Sequence, residues 1–228
     1  MSVSTIVVEP EGLCIPAGFA DLESFRAWAR SDGFPARGRI DYLAGEVHID
    51  MSPEDLSTHG TPKMAVAFRL HGIVVEELEA GAAFTDCTRL SCPGAALSAE
   101  PDVVVLLDES VRSGRVTLVP KAGGREGRYV EIEGPTDLVV ECVSDSSVTK
   151  DGGTLVDLYH RAGVREYWLI DARGEVAFTI HRWRPGGYEA VPPDAWGFRR
   201  SEVLHRGFRL VRRPREVSVD VYRLEARA

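Results

Sequence analysis

"DLVVECVSDSSVTKD", residues 137–151, opens on an apolar run with a carboxylate set into it. Leu138, Val139 and Val140 precede Glu141, and Cys142 and Val143 follow it. A short run this rich in β-branched residues predicts a strand buried on both faces. An ionised carboxylate inside such a strand is costly unless it is paired or binds a metal. A second run of the same kind, "EPDVVVLLD" at 100–108, predicts a strand over about 102–107 with Asp102 at its start. If the two strands are antiparallel neighbours, the start of one meets the end of the other, and the two carboxylates converge at one edge of a buried sheet. Such a pair repels itself, so one member takes up a proton or a cation sits between them. Oxygen donors of this kind suit Mg2+ or Mn2+, with water and a substrate phosphate in the remaining positions. Spacing alone leaves the alternative open that Asp102 caps a turn and Glu141 pairs with an arginine.

Outward from these strands, "DLESFRAWARS" at 21–31 predicts a short amphipathic helix capped by Asp21. "GRIDYLAGEVHIDM" at 38–51 predicts a β-hairpin turning at Ala44-Gly45. A long helix is expected over about 59–80, with Met64, Ala67, Phe68, His71, Val75 and Leu78 as its buried stripe. Short strands are expected near 82–86 and 88–91. Residues 108–134 are rich in Gly and charge and read as a long loop or an excursion containing the strands "RVTLVP" and "RYVEIE". "DGGTLVDLYHRAG" reads as a helix ending near Gly163 and "EYWLID" as the next strand, and "VAFTIHRW", "GYEAV", "SEVLH", "FRLV" and "VSVDVYRL" read as further strands. There is no regular βαβ alternation, so a mixed α/β or α+β sheet is expected, in one domain spanning 1–228.

The 228 residues are 44% hydrophobic and 27% charged, an ordinary globular composition. No apolar run reaches the roughly 18 residues of a membrane span. The N-terminus lacks the pattern of a signal peptide, so a cytoplasmic protein without membrane attachment is expected. Cys14, Cys87, Cys92 and Cys142 form no CxxC pair and read as reduced, mostly buried thiols. The net charge of −8 argues against a protein that coats nucleic acid, yet residues 199–215 hold seven arginines and one acid, Glu202. Within that run Arg199, Arg200, Arg206 and Arg209 are candidate phosphate contacts, with a solvated strand surface as the alternative. No phosphate-binding loop with its Lys-Ser/Thr ending is present, and Ser144, Ser146 and Ser147 lack the setting of a serine nucleophile. His59, beside the Ser-Thr helix start, reads as a capping or surface histidine, with a position facing the carboxylate pair as the alternative.

"EPDVVVL", "DLVVECVSDSS" and "LYHRAGVREYWLID", in that order, resemble the Uma family of putative restriction endonucleases, within the PD-(D/E)xK nuclease superfamily. "IDYLAGEVHIDMSP" is similar to the family's N-terminal hairpin, and the resemblance spans about residues 20–210. It implies a restriction-endonuclease-like fold, a mixed central sheet flanked by helices with a strand-rich C-terminal part. It implies metal-dependent hydrolysis of a phosphodiester in DNA, with Asp102 and Glu141 holding Mg2+ or Mn2+. Glu46 matches an acidic residue just after the hairpin turn, which makes it a third candidate ligand; a solvated hairpin face is its other reading. The chain departs from the pattern at the lysine. Val143 stands where the superfamily motif has it, and Leu155 stands where this family aligns it. Lys150 is the remaining candidate for the catalytic lysine, with a solvated lysine before a helix as its other reading. A relative that binds nucleic acid or a protein partner without cutting is the competing expectation. By analogy, cutting both strands implies a homodimer.

Overall fold

The computed structural model describes residues 5–8, 13–16, 18–124 and 127–228; most of the N-terminal stretch read for a signal peptide lies outside them. In chain order the strands are β1 (Thr5–Val8), β2 (Leu13–Pro16), β3 (Arg39–Leu43), β4 (Glu46–Asp50), β5 (Gly81–Thr85), β6 (Arg89–Cys92), β7 (Leu97–Ala99), β8 (Val103–Leu107), β9 (Thr117–Pro120), β10 (Tyr129–Glu133), β11 (Leu138–Cys142), β12 (Glu166–Asp171), β13 (Ala177–Arg184), β14 (Gly187–Ala190), β15 (Arg199–Arg200), β16 (Gly207–Arg213) and β17 (Val221–Arg227). The α-helices are α1 (Leu22–Ala29), α2 (Thr61–His71), α3 (Asp108–Arg112) and α4 (Leu155–Ala162). Single π-helical turns at Leu56–Gly60 and Gly72–Glu77 flank α2, and a third at Lys150–Thr154 leads into α4.

Two six-stranded sheets carry the molecule, one in the order β4-β3-β7-β6-β10-β9 and one in the order β14-β13-β12-β11-β8-β5. Each is antiparallel except for one parallel pair, β6 with β10 and β11 with β12. The chain crosses from the first sheet to the second in the short step Glu100-Pro101-Asp102, between β7 and β8. Every residue of β11 is buried, Glu141 included, as are the first four of the wholly apolar β8.

Strand alternation sorts these buried residues onto two cores. Val103, Val105, Leu138, Val140 and Cys142 face a core shared with Val66 and Leu70 of α2 and with Phe208 and Leu224 of the C-terminal sheet β15-β16-β17. Val104, Leu106 and Val139 face the other way, toward Leu155, Leu158 and Tyr159 of α4 and toward Leu43, Leu90 and Leu97 of the first sheet. The second sheet is thus covered on both faces. The hairpin turn is as expected: Ala44 and Gly45 both take positive φ, +52° and +102°, the requirement of a two-residue turn that follows strand twist.

Several expectations are corrected. The buried stripe of α2 is Pro62, Lys63, Val66, Ala67 and Leu70, continued by Ile73 and Val74, while Met64 and Phe68 are 68% and 78% exposed and His71 and Leu78 also face out. Both faces of this helix carry apolar residues, and the wider π turns shift the phase, so periodicity did not separate them. "SEVLH" forms no strand, because the backbone N–H groups of Glu202 and Val203 fold around the buried Glu166 carboxylate instead. Cys92 and Cys142 are buried but Cys14 and Cys87 are exposed. No helix among the described residues is long and apolar enough to cross a membrane.

Candidate functional site

β8 and β11 are antiparallel neighbours, with Val139 opposite Val104 and Val140 opposite Val103. One step further along that register, Glu141 stands opposite Asp102. Asp102 shares its face with Val104, and Glu141 shares its face with Val139, so both carboxylates point to the core between the second sheet, α4 and the first sheet. Both are buried, at 0% and 1% exposure.

Asp102 is heavily held. Arg39 Nη2 donates to Oδ1 at 2.6 Å, the Cys142 N–H donates to Oδ2 at 2.7 Å, and His59 Nε2 lies 3.3 Å from Oδ2. Burial opposes ionisation of Asp102, but His59 and Arg39 outweigh it and hold the carboxyl well below the usual range. Glu141 is the opposite case. Burial and then the Asp102 charge push it well above the usual carboxylate range. Tyr159 of α4 donates to Oε1 at 3.0 Å, while Oε2 is buried with no hydrogen-bond partner and lies 3.9 Å from Arg39 Nη1. Two adjacent carboxyls whose proton affinities diverge in this way behave as one coupled unit.

The first sheet supplies the facing wall. Leu43 of β3 lies in the same core, so Arg39 and Asp41, at the same parity, turn toward Asp102 and Glu141. Asp41 is buried; its Oδ1 accepts from the Glu100 N–H at 3.0 Å and its Oδ2 from Lys150 Nζ at 3.3 Å. Lys150 opens the π-helical turn before α4 and is raised above its usual value: burial works against its charge, but Asp41 and Glu141 prevail. Next to it, Asp151 is buried with neither carboxyl oxygen hydrogen-bonded, and burial pushes it up to about 6. The Tyr167 hydroxyl pins this turn by donating to the Asp151 carbonyl at 2.8 Å.

The structure therefore brings Asp102, Glu141 and Lys150 together and leaves Glu46 apart. Glu46 stands opposite Leu43 at the hairpin turn, 81% exposed, with His48 Nε2 at 3.5 Å. Its strand position gives the right face, but it lies too near the tip to join the buried group. His59 is no surface histidine. The capping role belongs to Asp55, which accepts from the Ser57 and Thr58 N–H groups, and the His59 ring is buried between Glu54 and Asp102. Arg39, Asp41, Asp151 and Tyr159 escaped the sequence reading. Asp41 carried a usable signal, an acid inside "RIDYL", the same pattern that marked Glu141.

The candidate arginines of the C-terminal sheet are mostly engaged elsewhere. Arg199 donates to the Phe178 carbonyl at 2.7 Å and to the Val191 carbonyl. Arg206 pairs with Glu77, and Arg209 pairs with Glu225 at 2.6 Å while stacking on Phe198. Arg200 is exposed. Beside the carboxylates lies a cleft of about 670 Å³, whose lining includes Arg37, Arg39, Thr58, Ser144, Ser146 and Arg173.

Among the described residues, no group of three or more His, Cys, Asp or Glu side chains stands ready-gathered to hold a metal ion. The chemistry of the donors nevertheless fits a hard divalent cation: buried carboxylate oxygens, of which Glu141 Oε2 and both oxygens of Asp151 have no hydrogen bond.

No curated protein matches the chain. The crystal structure of a putative nuclease belonging to DUF820 from Anabaena variabilis is similar, with a TM-score of 0.54 and 18% identity over 82% of this chain and 92% of that one. At this identity the likeness bears on the fold alone, a mixed α+β architecture that both chains share. The family model described as Uma2, putative restriction endonuclease, matches residues 22–213, and the chain belongs to that family.

Proposed function

We propose that the protein is a nuclease that hydrolyses phosphodiesters in DNA with the help of Mg2+ or Mn2+ held by Asp102 and Glu141. The observation that carries this reading is the facing pair where the start of β8 meets the end of β11, buried together, with Glu141 Oε2 left without a hydrogen bond. A divalent ion bound there supplies Lewis acidity toward a phosphate oxygen and lowers the pKa of water. The chain's own residues do the rest. His59 and the Cys142 N–H fix Asp102, and Tyr159 fixes Glu141, so the donor oxygens are preorganised. Lys150, charged and partly buried between Asp41 and Asp151, is the cation that offsets charge building on the phosphate. It takes this role in place of the lysine replaced by Leu155, which lies in the apolar core.

Nicking of supercoiled plasmid by wild type and Glu141→Gln, with Mg2+ or Mn2+, tests the reading. Metal-dependent nicking lost in the variant is the expected result, with a fall of roughly 100-fold or more. Wild type that cuts with neither metal removes it.

One observation favours a second reading. Arg39 lies 2.6 Å from Asp102 and 3.9 Å from Glu141, so the acid pair is compensated without a metal, as a protein that binds nucleic acid without cutting requires. DNA binding that needs no metal and weakens steeply with salt, without nicking, is the outcome that selects it.

A further inference from the structure

We propose that Arg39 is the resident counter-cation of the acid pair, and that a divalent ion binds by displacing its guanidinium into the adjoining cleft. The proposal rests on the metal-binding reading of Asp102 and Glu141 and concerns how that site is kept and opened.

The geometry divides the oxygens of the pair into two sets. Asp102 Oδ2 is taken by the Cys142 N–H and His59, and Glu141 Oε1 by Tyr159. Asp102 Oδ1 is held by Arg39 at 2.6 Å, and Glu141 Oε2, which has no hydrogen bond, lies 3.9 Å from the same guanidinium. Departure of Arg39 frees Asp102 Oδ1 and uncovers the already unbonded Glu141 Oε2, while the other oxygen of each carboxylate stays anchored to protein. That is the donor arrangement a bridging cation requires. The exchange also keeps the buried acids compensated throughout, which matters because uncompensated buried charge is expensive.

Arg39 has somewhere to go. Its side chain is 24% exposed, against 0% and 1% for the two acids, and it lines both a cleft of about 480 Å³ and the larger cleft shared with Arg37, Ser144 and Ser146. A guanidinium turned into that cleft presents a two-pronged donor suited to phosphate oxygens. The backbone at Arg39 is held by pairing with Asp50 of β4, and β7 secures the far end of β3 at Tyr42 and Leu43, so the exchange is a side-chain movement. Metal entry and phosphate contact are thereby linked through one side chain.

Calorimetric Mn2+ titration and thermal melting of wild type, Arg39→Met, Arg39→Lys and Glu141→Gln test the exchange without reference to cutting. Metal-free Arg39→Met should melt below wild type, bind Mn2+ roughly 10-fold tighter or more, and gain a larger melting increment from the metal. Arg39→Lys, which keeps the charge and loses the fork, should fall between. Lower melting of Arg39→Met with Mn2+ affinity equal to or weaker than wild type overturns the proposal, because a purely structural arginine gives that pattern. Should Arg39→Met not fold, Arg39→Lys decides alone: tighter binding supports the exchange, and equal or weaker binding overturns it. Absence of Glu141-dependent Mn2+ binding in every variant overturns the metal reading itself, a result distinct from metal binding that Arg39 substitutions leave unchanged.

Discussion

Glu131 shows at the scale of one residue how this chain keeps charge inside. Its carboxylate is fully enclosed, held by Arg26 Nε at 2.6 Å and Arg30 Nη1 at 3.1 Å. Burial disfavours its charge, but the Arg26 hydrogen bond, helped by Ser91 and the charges of Arg26 and Arg30, prevails, so its pKa lies below the ordinary 4.5. A carboxyl lowered on folding stabilises the native state above its unfolded pKa and loses that contribution as pH falls through the folded one. Glu131→Gln should therefore flatten the fall of melting temperature below about pH 4.5 relative to wild type. Arg26→Met, which leaves Glu131 short of its main partner, should cost about 3 kcal/mol at neutral pH in urea unfolding. Residues of this kind were legible to different degrees. Glu141 and Asp41 each stand out as an acid in an apolar strand. Arg39 gives no such sign, because the sheet-to-sheet stacking that aims it is a tertiary fact.

At the scale of elements, α2 separates what periodicity offers from what packing selects. Two apolar stripes run along it, and only the one through Val66 and Leu70 meets Val103, Val105 and Leu138. Leu70→Ala should destabilise the protein by about 3 kcal/mol, whereas Phe68→Ser should stay within about 0.5 kcal/mol of wild type. Equal effects in chemical denaturation would mean that the two faces are not distinguished as described. The strands were easier to read than the helix. β8 and β11 announce themselves by short valine-rich apolar runs, and antiparallel pairing alone brings Asp102 to Glu141. The π turn at Lys150–Thr154 was not foreseeable from "DGGT", whose glycines disfavour helix, yet it turns Lys150 to Asp41 and buries Asp151.

At the scale of the whole molecule, Glu166 ties the C-terminal sheet to the second sheet. From β12 its carboxylate accepts from Ser201 Oγ at 2.8 Å, the Glu202 N–H at 2.5 Å, the Val203 N–H at 3.3 Å and Trp168 Nε1 at 3.0 Å. Glu166→Ala leaves these donors unmatched and should cost about 2 kcal/mol. Limited trypsin digestion should then cut first at Arg199, Arg200 or Arg206, while β8 and β11 remain protected; unchanged digestion would show that the apolar contacts of Phe208 and Leu224 suffice to hold the sheet.

The crossing at Glu100-Pro101-Asp102 has a temporal meaning. Asp102 stands at the start of β8 in the second sheet, while the Arg39 and Asp41 that face it belong to the first, and Glu141 enters only when the later strand β11 docks beside β8. Synthesis delivers these pieces at different moments, and none has its neighbours until both sheets have closed on one another. A full-length but half-assembled chain carries every acid of the cluster but not their arrangement. Competence is in this sense a certificate of completed folding.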